Sequence, residues 1–173
     1  MGTGEAGSYL ALLIGVGGAI GIYLGGRAAD ALSLRFGQQW LPWLVGIVNL
    51  TVLPLLYLAF TAPTPMLAIA FYVLPAILST VYVAPGFALI QNVTPIEMRS
   101  VAAAINLFIT NIIGLGLGPF TVGFFSDYFG ETQGIDGLRY GLMTTLVIAI
   151  WAVFHFYRCG VAIQSVAKAT PKD

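Results

Sequence analysis

Charged residues are scarce in this sequence. Only 8% of the 173 residues are Asp, Glu, Lys or Arg, whereas a soluble domain usually contains about one quarter. Hydrophobic residues make up 58% of the chain, and its mean hydropathy is +0.92. A soluble domain is therefore excluded, and membrane lipid is the expected environment. The formal net charge of zero predicts neither nucleic-acid binding nor attachment to lipid through a polybasic segment.

Cysteine and histidine are almost absent, with one residue of each. A single cysteine excludes an intramolecular disulfide framework, and His155 and Cys159 do not form a cluster with metal-ligand spacing. Since the sequence also offers no Ser/His pair on facing helices, we expect neither an intramembrane enzyme nor a bound metal or cofactor. A cleavable signal peptide is not expected either, because no basic segment with a short apolar core follows Met1.

The sequence contains several long apolar runs. A hydrocarbon core of about 30 Å requires roughly 20 apolar residues in a helix. Five segments meet this requirement: 8–26, 41–60, 65–90, 101–125 and 138–158. Gly, Pro and polar residues typical of turns lie between them, in RAADALSLRFGQQ, TAPT, QNVTPIEMRS and SDYFGETQGID. The sequence predicts an all-α fold, a polytopic transmembrane helical bundle of five spans that forms a single membrane domain over residues 1–173.

The basic residues are distributed unevenly among the predicted loops. Lys and Arg favour the cytoplasmic ends of short loops. Only Arg139 lies on one side of the predicted bundle, and six lie on the other: Arg27, Arg35, Arg99, Arg158, Lys168 and Lys172. The C-terminus is therefore predicted to be cytoplasmic, and five crossings place the N-terminus of this chain outside. An odd number of helices before Met1 would make that orientation natural, so we expect a fragment of a longer chain.

The first predicted loop, GGRAADALSLRFGQ, has the order Gly, basic residue, Asp, then Arg and Gly. It resembles the cytoplasmic loop motif of the major facilitator superfamily. In that family the glycine lets two helices approach, while the Asp and Arg pair with each other and with a neighbouring helix end. The resemblance gives this gate role to Gly26, Asp30 and Arg35, with Arg27 nearby. Gln38 and Gln39 replace the usual second basic cluster.

A longer match covers residues 90–127, IQNVTPIEMRSVAAAINLFITNIIGLGLGPFTVGFFSD. Its Pro-x-x-Met-Arg turn, its Gly-x-Gly-x-Gly-Pro run and its closing Ser-Asp resemble the eleventh helix of Spinster-like transporters in that superfamily. The order of helices fits positions eight to twelve of twelve. The resemblance implies a partial major facilitator fold, the C-terminal half of a multi-pass protein of the cell (inner) membrane. The missing N-terminal half would be its partner.

Glycines recur every four residues in the first segment, at Gly17, Gly21 and Gly25. They give a smooth face on which another helix can pack closely. Static packing and a sliding surface for alternating access both fit this pattern. Asp30 and Arg35 likewise form either a solvated loop pair or a cytoplasmic gate latch that favours one conformation.

In the third segment, residues with spacings of three and four share one helix face, namely Tyr72, Pro75, Ser79, Tyr82 and Gly86. Polar groups inside a bilayer usually turn toward the bundle interior or a wet cavity. The resemblance makes this tenth helix a cavity wall, so Tyr72, Ser79 and Tyr82 are candidate substrate-cavity residues. Interhelical hydrogen bonding in a sealed core is the alternative.

The fourth segment contains two asparagines about 140° apart on a helix, Asn106 and Asn111. Asn106 is a further candidate for the substrate cavity. Asn111, with Gly114, is expected to bond a neighbouring helix. Gly118 and Pro119 form a hinge or a tolerated kink. Just before this segment, the predicted cytoplasmic turn is bracketed by Glu97 and Arg99.

The resemblance implies a secondary active transporter that works by alternating access. Its substrate would be a small organic or lipid-like amphipathic solute, bound between this bundle and the missing half. No Asp, Glu, Lys or Arg lies well inside the five predicted segments, so a residue that couples transport to an ion is expected in the missing half. The alternative is a non-transporting small membrane protein, either an assembly partner or a degenerate remnant.

Overall fold

A computed structural model of the protein describes residues 3–169. It is 93% helical, and none of the described residues lies in a strand. The described residues contain five helices that are long and apolar enough to cross a membrane. We call them spans 1 to 5: Gly7–Phe36, Trp40–Thr61, Pro65–Val93, Ile96–Thr132 and Gly137–Ala169. The predicted all-α fold with five spans is confirmed.

Three of the spans are built from several helical segments. The segments that include span 1 are Thr3–Leu12, the π-helical Leu13–Gly17 and Gly18–Phe36. Span 3 consists of Pro65–Leu78 and Val83–Val93. The segments that include span 4 are the 3-10 turn Ile96–Met98, Arg99–Ile109, the π-helical Thr110–Leu117 and Gly118–Gln133. A second 3-10 turn, Gly134–Asp136, leads into span 5.

The helix of span 1 continues through most of the first predicted loop. It ends at Phe36, which leaves only residues 37–39 as a turn. Residues 28–34 are mostly Ala and Leu and include no Pro, so they favour a helix. Gly37 then ends the helix with a φ of 97°, and its N–H donates to the Ser33 carbonyl at 2.9 Å. The prediction of a loop for residues 27–36 is therefore wrong.

Two other predicted loops are also shorter than expected. Between spans 3 and 4, only Thr94 and Pro95 are non-helical. The last α-helical segment of span 4 ends at Gln133, where Gly134 has a φ of 60°, so residues 126–133 are helical rather than a loop. A helix can continue beyond the membrane surface. The helix ends therefore do not test the predicted limits of the membrane crossings or of the single domain, which stay predictions.

The short TAPT turn between spans 2 and 3 is present as expected. Span 2 ends at Thr61, and span 3 begins at Pro65. The Thr64 hydroxyl accepts a hydrogen bond from the Leu67 N–H at 3.4 Å, which caps the new helix. Pro65 is suited to the first helical position because an N–H there would have no acceptor within the helix.

The π-helical stretch of span 4 has a local cause. In a π-helix the backbone hydrogen bonds reach one residue further than in an α-helix. The stretch Thr110–Leu117 lies directly before Gly118 and Pro119. A proline ring clashes with the carbonyl four residues earlier in a regular α-helix. The wider turn relieves that clash at Pro119.

Contacts divide the described chain into two compact units. Unit 1 contains residues 3–89 and 150–169, and unit 2 contains residues 90–149. In unit 1, span 2 packs against span 1 and against Pro65–Leu78 of span 3. The buried hydrophobic side chains all belong to this unit: Ala29, Leu41, Val45, Val52, Ala59, Ala76 and Val81. Because lipid tails are as apolar as these side chains, close packing rather than apolar burial alone must hold the helices together.

Span 5 joins unit 1 through a close contact with span 2. The Trp43 indole N–H donates to the Tyr157 carbonyl at 3.2 Å. Gly46 faces Phe156, where a Cβ would lie 3.4 Å from the Phe156 Cβ. Gly160 lies against the Trp43 indole so closely that an added Cβ would overlap the ring. Gly160 therefore permits this approach, whereas a Cβ at Gly46 would make an ordinary contact.

Unit 2 is a pair of helices formed by span 4 and the beginning of span 5. A Cβ at Gly137 would lie 2.5 Å from the Ser126 carbonyl oxygen, and a Cβ at Gly141 would lie 2.8 Å from the Val122 carbonyl oxygen. Phe129 packs beside this contact, with its ring centroid 5.8 Å from that of Tyr140 and 6.2 Å from that of Phe125. Glycine contact and aromatic packing thus fix the local arrangement.

Candidate functional site

The glycines of span 1 make a contact with span 3 that a larger residue would prevent. Gly17, Gly21 and Gly25 are all buried. A Cβ at Gly21 would overlap the Ile77 carbonyl oxygen, and a Cβ at Gly25 would overlap the Val81 carbonyl oxygen. At Gly17 the nearest atom is the Ile77 side chain, at 3.2 Å. The backbone of span 3 therefore lies directly on the glycine face of span 1.

The α-helical hydrogen bonding of span 3 stops after Ser79, whose N–H donates to the Pro75 carbonyl at 2.8 Å, and we call residues 79–82 the span 3 break. Bonds from N–H groups to carbonyls three residues earlier replace it: Thr80 to Ile77 at 3.4 Å, Val81 to Leu78 at 3.1 Å and Val83 to Thr80 at 3.2 Å. Pro85 has no N–H to donate to the Val81 carbonyl four residues earlier. That carbonyl instead lies against Gly25.

The Thr80 side chain bridges the span 3 break and span 1. Its hydroxyl oxygen is 2.9 Å from the Ile77 carbonyl oxygen and 3.1 Å from the Gly18 carbonyl oxygen of span 1. The single hydroxyl hydrogen is thus within hydrogen-bonding reach of a backbone acceptor on each helix, which matters in a membrane because no water is available there. Sequence reasoning missed Thr80. Its position five residues before Pro85 was the available signal.

The break divides the predicted cavity face of span 3. Ser79 and Tyr82 lie within the break and are exposed, whereas Tyr72 is half-buried and Pro75 is buried. The Ser79 hydroxyl donates to the Ala76 carbonyl at 3.3 Å. Asn106, in unit 2, is half-buried. The substrate role of Tyr72, Ser79, Tyr82 and Asn106 stays a prediction.

The predicted gate residues lie on the helix of span 1 rather than in a loop. Gly26 is half-buried beside Ala84, while Arg27, Asp30 and Arg35 are exposed. Positions five residues apart on a helix differ by about 140°, so Asp30 and Arg35 face different sides. Within residues 3–169, the ion pair formed at 4.0 Å or less is Arg139 with Asp136, at 3.3 Å. Asp30 and Arg35 are thus not within ion-pair distance of each other in this arrangement, and their gate role stays a prediction.

In span 4 the Asn111 amide bonds its own helix. Its Nδ2 donates to the Leu107 carbonyl at 2.7 Å, and the side chain is exposed. A Cβ at Gly114 or Gly118 would meet no atom within 4 Å. These positions leave space beside the π-helical stretch and Pro119. The observed bond is within one helix, in contrast to the interhelical bond expected for Asn111.

Glu97 and Arg99, which were predicted to bracket a turn, lie at the start of span 4. Glu97 is in the 3-10 turn Ile96–Met98, and Arg99 begins the following α-helix. The Arg99 Nε donates to the Thr94 carbonyl at 3.4 Å. This bond ties the helix start to the preceding turn. Both charged side chains are exposed.

Sequence reasoning also missed an open groove in unit 1, between spans 2 and 5, which we call the aromatic groove. It has a volume of about 480 Å³, within the roughly 300–1,000 Å³ typical of small-molecule sites. Its lining is apolar and includes Trp40, Trp43, Ile47, Leu50, Phe154 and Tyr157. None of the predicted cavity residues lines it. Across the described part of the chain, no three His, Cys, Asp or Glu residues are grouped as metal ligands.

A curated relative with sequence similarity to this chain is an MFS-type efflux pump from Mycolicibacterium smegmatis. The two are 36% identical over 143 residues, which is 83% of this chain and 33% of the relative. The similarity supports a transporter of the major facilitator superfamily. This chain spans about one third of the length of that relative. No protein-family model and no solved structure matches the chain.

The similarity and the five membrane-type helices agree about the class of protein. Together they support a multi-pass membrane protein that is similar to a transporter. The glycine face of span 1 and the span 3 break therefore belong to a chain that is similar to a major facilitator transporter. The Spinster-like branch, the substrate and the orientation stay predictions.

Proposed function

We propose that this chain is part of a secondary active transporter that moves an amphipathic organic or lipid-like solute across the cell (inner) membrane by alternating access. The observation that carries the proposal is the span 3 break and its contact with the glycine face of span 1. Discontinuous membrane helices with freed backbone carbonyls are typical of transporter sites. The similarity to an efflux pump favours export as the direction.

We further propose that the five spans are helices eight to twelve of a Spinster-like transporter, with an N-terminal half as partner. Span 4 supports the need for a partner, because none of its most apolar window is buried. Its exposed side chains include Phe108, Leu115 and Phe120, at 66%, 73% and 69% exposure. Lipid covers part of such a surface, and a second bundle would cover the face that encloses the solute.

Transport is tested in the native host, using the complete gene and a strain from which it is deleted. Mass spectrometry compares the organic amphiphiles and lipids retained in deletion cells, in cells with the restored gene and in restored cells with Gly21→Ala. We expect deletion cells to retain at least one amphiphile, the restored gene to release it and Gly21→Ala to release it more slowly. Gly15→Ala is the matched control because a Cβ there meets nothing within 4 Å. Equal retention in deletion and restored cells would overturn the proposal.

The orientation follows from the basic residues and has its own test. Green fluorescent protein fluoresces on the cytoplasmic side, and alkaline phosphatase is active on the outer side. We expect fluorescence from a fusion after Asp173 and phosphatase activity from an insertion in the turn at residues 62–64. Spans 3, 4 and 5 separate these two sites, so they lie on opposite sides of the membrane, and the site after Asp173 is cytoplasmic if the excess of Lys and Arg faces inward. The reverse pattern would contradict the proposed orientation.

A further inference from the structure

The aromatic groove between spans 2 and 5 has the form of a slot for an apolar chain. It is open along one side, and its walls are aromatic and aliphatic. Ile47 and Leu50 remain 53% and 58% exposed on its span 2 wall. The Trp43 hydrogen bond to Tyr157 and the Gly160 contact hold the two helices together at its side. The groove is therefore shaped by a packed helix pair rather than by mobile side chains.

Two arginines flank the groove toward the end where span 2 begins. The Arg158 guanidinium lies over the Phe154 ring, 5.9 Å from its centroid, and Phe154 lines the groove. The Arg35 guanidinium lies 5.1 Å from the centroid of Phe36. Phe36 in turn contacts Trp40 of the groove, with ring centroids 5.5 Å apart. Both cations are thus connected to the groove through aromatic rings.

These arginines retain their hydrogen-bonding capacity. Both side chains are exposed, and neither has a carboxylate within 4.0 Å among residues 3–169. A guanidinium stacked on a ring can still donate hydrogen bonds from the N–H groups in its own plane. This geometry suits the oxygens of a phosphate. Trp43, one turn into span 2, contacts Tyr157 and Gly160. Arg158 therefore lies at the same end of the helix pair as Arg35.

We propose that the aromatic groove binds one anionic phospholipid, with an acyl chain in the slot and the phosphate at Arg158 and Arg35. The argument is charge complementarity combined with an apolar slot on membrane-type helices. A zwitterionic lipid would bring a second, positive group toward two uncompensated arginines. A neighbouring protein helix would need acidic residues aimed at both of them. An anionic phospholipid would fill the slot with an acyl chain and place its phosphate at the two arginines.

The test uses the purified protein without truncation, in a neutral detergent. Native mass spectrometry and thermal unfolding are measured in two separate titrations. One adds dioleoyl phosphatidylglycerol, and the other adds dioleoyl phosphatidylcholine, which has the same acyl chains. We expect one phosphatidylglycerol per chain, bound at least tenfold more tightly than phosphatidylcholine. The double variant Arg35→Gln/Arg158→Gln should lose about tenfold or more in affinity, because charge-assisted hydrogen bonds are lost.

A second variant tests the slot without altering charge. Leu50→Trp fills the groove and should weaken phosphatidylglycerol binding, whereas Leu58→Trp is the matched control. Leu58 is on the same span, is 42% exposed and does not line the groove. Both positions are exposed, so both variants are expected to fold.

Four outcomes would overturn the proposal. The first is equal affinity for the two lipids. The second is an equal effect of Leu50→Trp and Leu58→Trp, and the third is an arginine-dependent stabilisation by inorganic phosphate alone, which would indicate an anion site without a lipid slot. A shift from dimer to monomer in Leu50→Trp, with lipid binding unchanged, would assign the groove to a second copy and also contradict the proposal. These results do not depend on transport, so the site and the proposed function fail separately.

Discussion

At the scale of single residues, Thr80 has the most specific role in the described structure. It stands in the span 3 break, where the backbone lacks its regular partners, and its hydroxyl serves carbonyls of both spans 1 and 3. Hydrogen bonds between membrane helices contribute about 0.6 kcal/mol on average, and up to roughly 1.7 kcal/mol. One hydroxyl can therefore influence how firmly two spans are held together.

Replacing this hydroxyl gives the first prediction. Thr80→Val keeps the shape of the side chain but leaves the Gly18 and Ile77 carbonyls without it, so we expect a loss of about 0.5–2 kcal/mol in unfolding free energy. Thr80→Ser keeps the hydroxyl and should retain most of the stability. Denaturant titration in detergent micelles, followed by circular dichroism, measures the difference. A loss in Thr80→Ser without a loss in Thr80→Val would show that packing of the methyl group, not the hydrogen bond, stabilises the contact.

Asp30 supports a second prediction, which rests on the proposed gate. Since Asp30 does not pair with Arg35 in span 1, its exposed carboxylate is free to bond a neighbouring helix of the complete transporter in the cytoplasm-closed state. We expect Asp30→Asn to destabilise that state by up to about 1 kcal/mol, a change of up to about fivefold. A cysteine at Ser79, in a Cys159→Ser background, should then react faster with an impermeant maleimide added from the cytoplasmic side.

The control for the gate is Asp127→Asn, which removes an exposed acid from unit 2, on the predicted outer side. It should leave the labelling rate unchanged. If Asp30→Asn also leaves the rate unchanged, Asp30 is a solvated surface residue and not part of a latch.

At the scale of helices, the contact between spans 1 and 3 depends on the absence of a Cβ at the glycines of span 1. Gly21 and Gly25 face backbone carbonyl oxygens, which cannot rotate away as a side chain can. Gly17 faces Cγ1 of the Ile77 side chain, and a Cβ there would lie 3.2 Å from it. The three glycines therefore differ in how much a methyl group would disturb the contact.

The third prediction follows from that difference. Gly21→Ala and Gly25→Ala should each cost about 1–3 kcal/mol, because the backbones must separate to admit the methyl group. Gly17→Ala should cost less, and Gly15→Ala should not destabilise, because a Cβ at Gly15 meets nothing within 4 Å. Unfolding titrations of the four variants give the order. A loss at Gly15 equal to that at Gly21 would mean that glycine acts through helix flexibility rather than contact.

The same elements mark what could be predicted from the sequence. Five spans followed from segment length and hydropathy, because a membrane-crossing helix needs both. The helix ends at Phe36 and Gln133 did not follow, since polar and charged residues are compatible with a helix that continues beyond its apolar run. The bond from Thr80 to Gly18 joins residues 62 positions apart. No local sequence pattern reveals such a contact. The aromatic groove was missed for the same reason, because it forms only where spans 2 and 5 meet.

At the scale of the whole molecule, the proposed solute path needs a second bundle. The fourth prediction is that residues 1–173 alone do not transport. Ethidium, an amphipathic fluorescent dye, should enter liposomes that contain the purified monomeric chain no faster than protein-free liposomes, with or without a proton gradient. Saturable uptake by the monomeric chain would contradict both this prediction and the need for a partner.

The π-helical stretch Thr110–Leu117 also has a consequence for the history of the gene. A backbone bond that spans one extra residue accommodates a one-codon insertion without displacing the helix on either side. Homologous chains can therefore differ in length by one residue within this stretch and still align on both flanks. Any alignment of span 4 should permit a single gap between Thr110 and Leu117. For a homologue that is one residue shorter in this stretch, an alignment without the gap would shift the Gly118–Pro119 pair by one position.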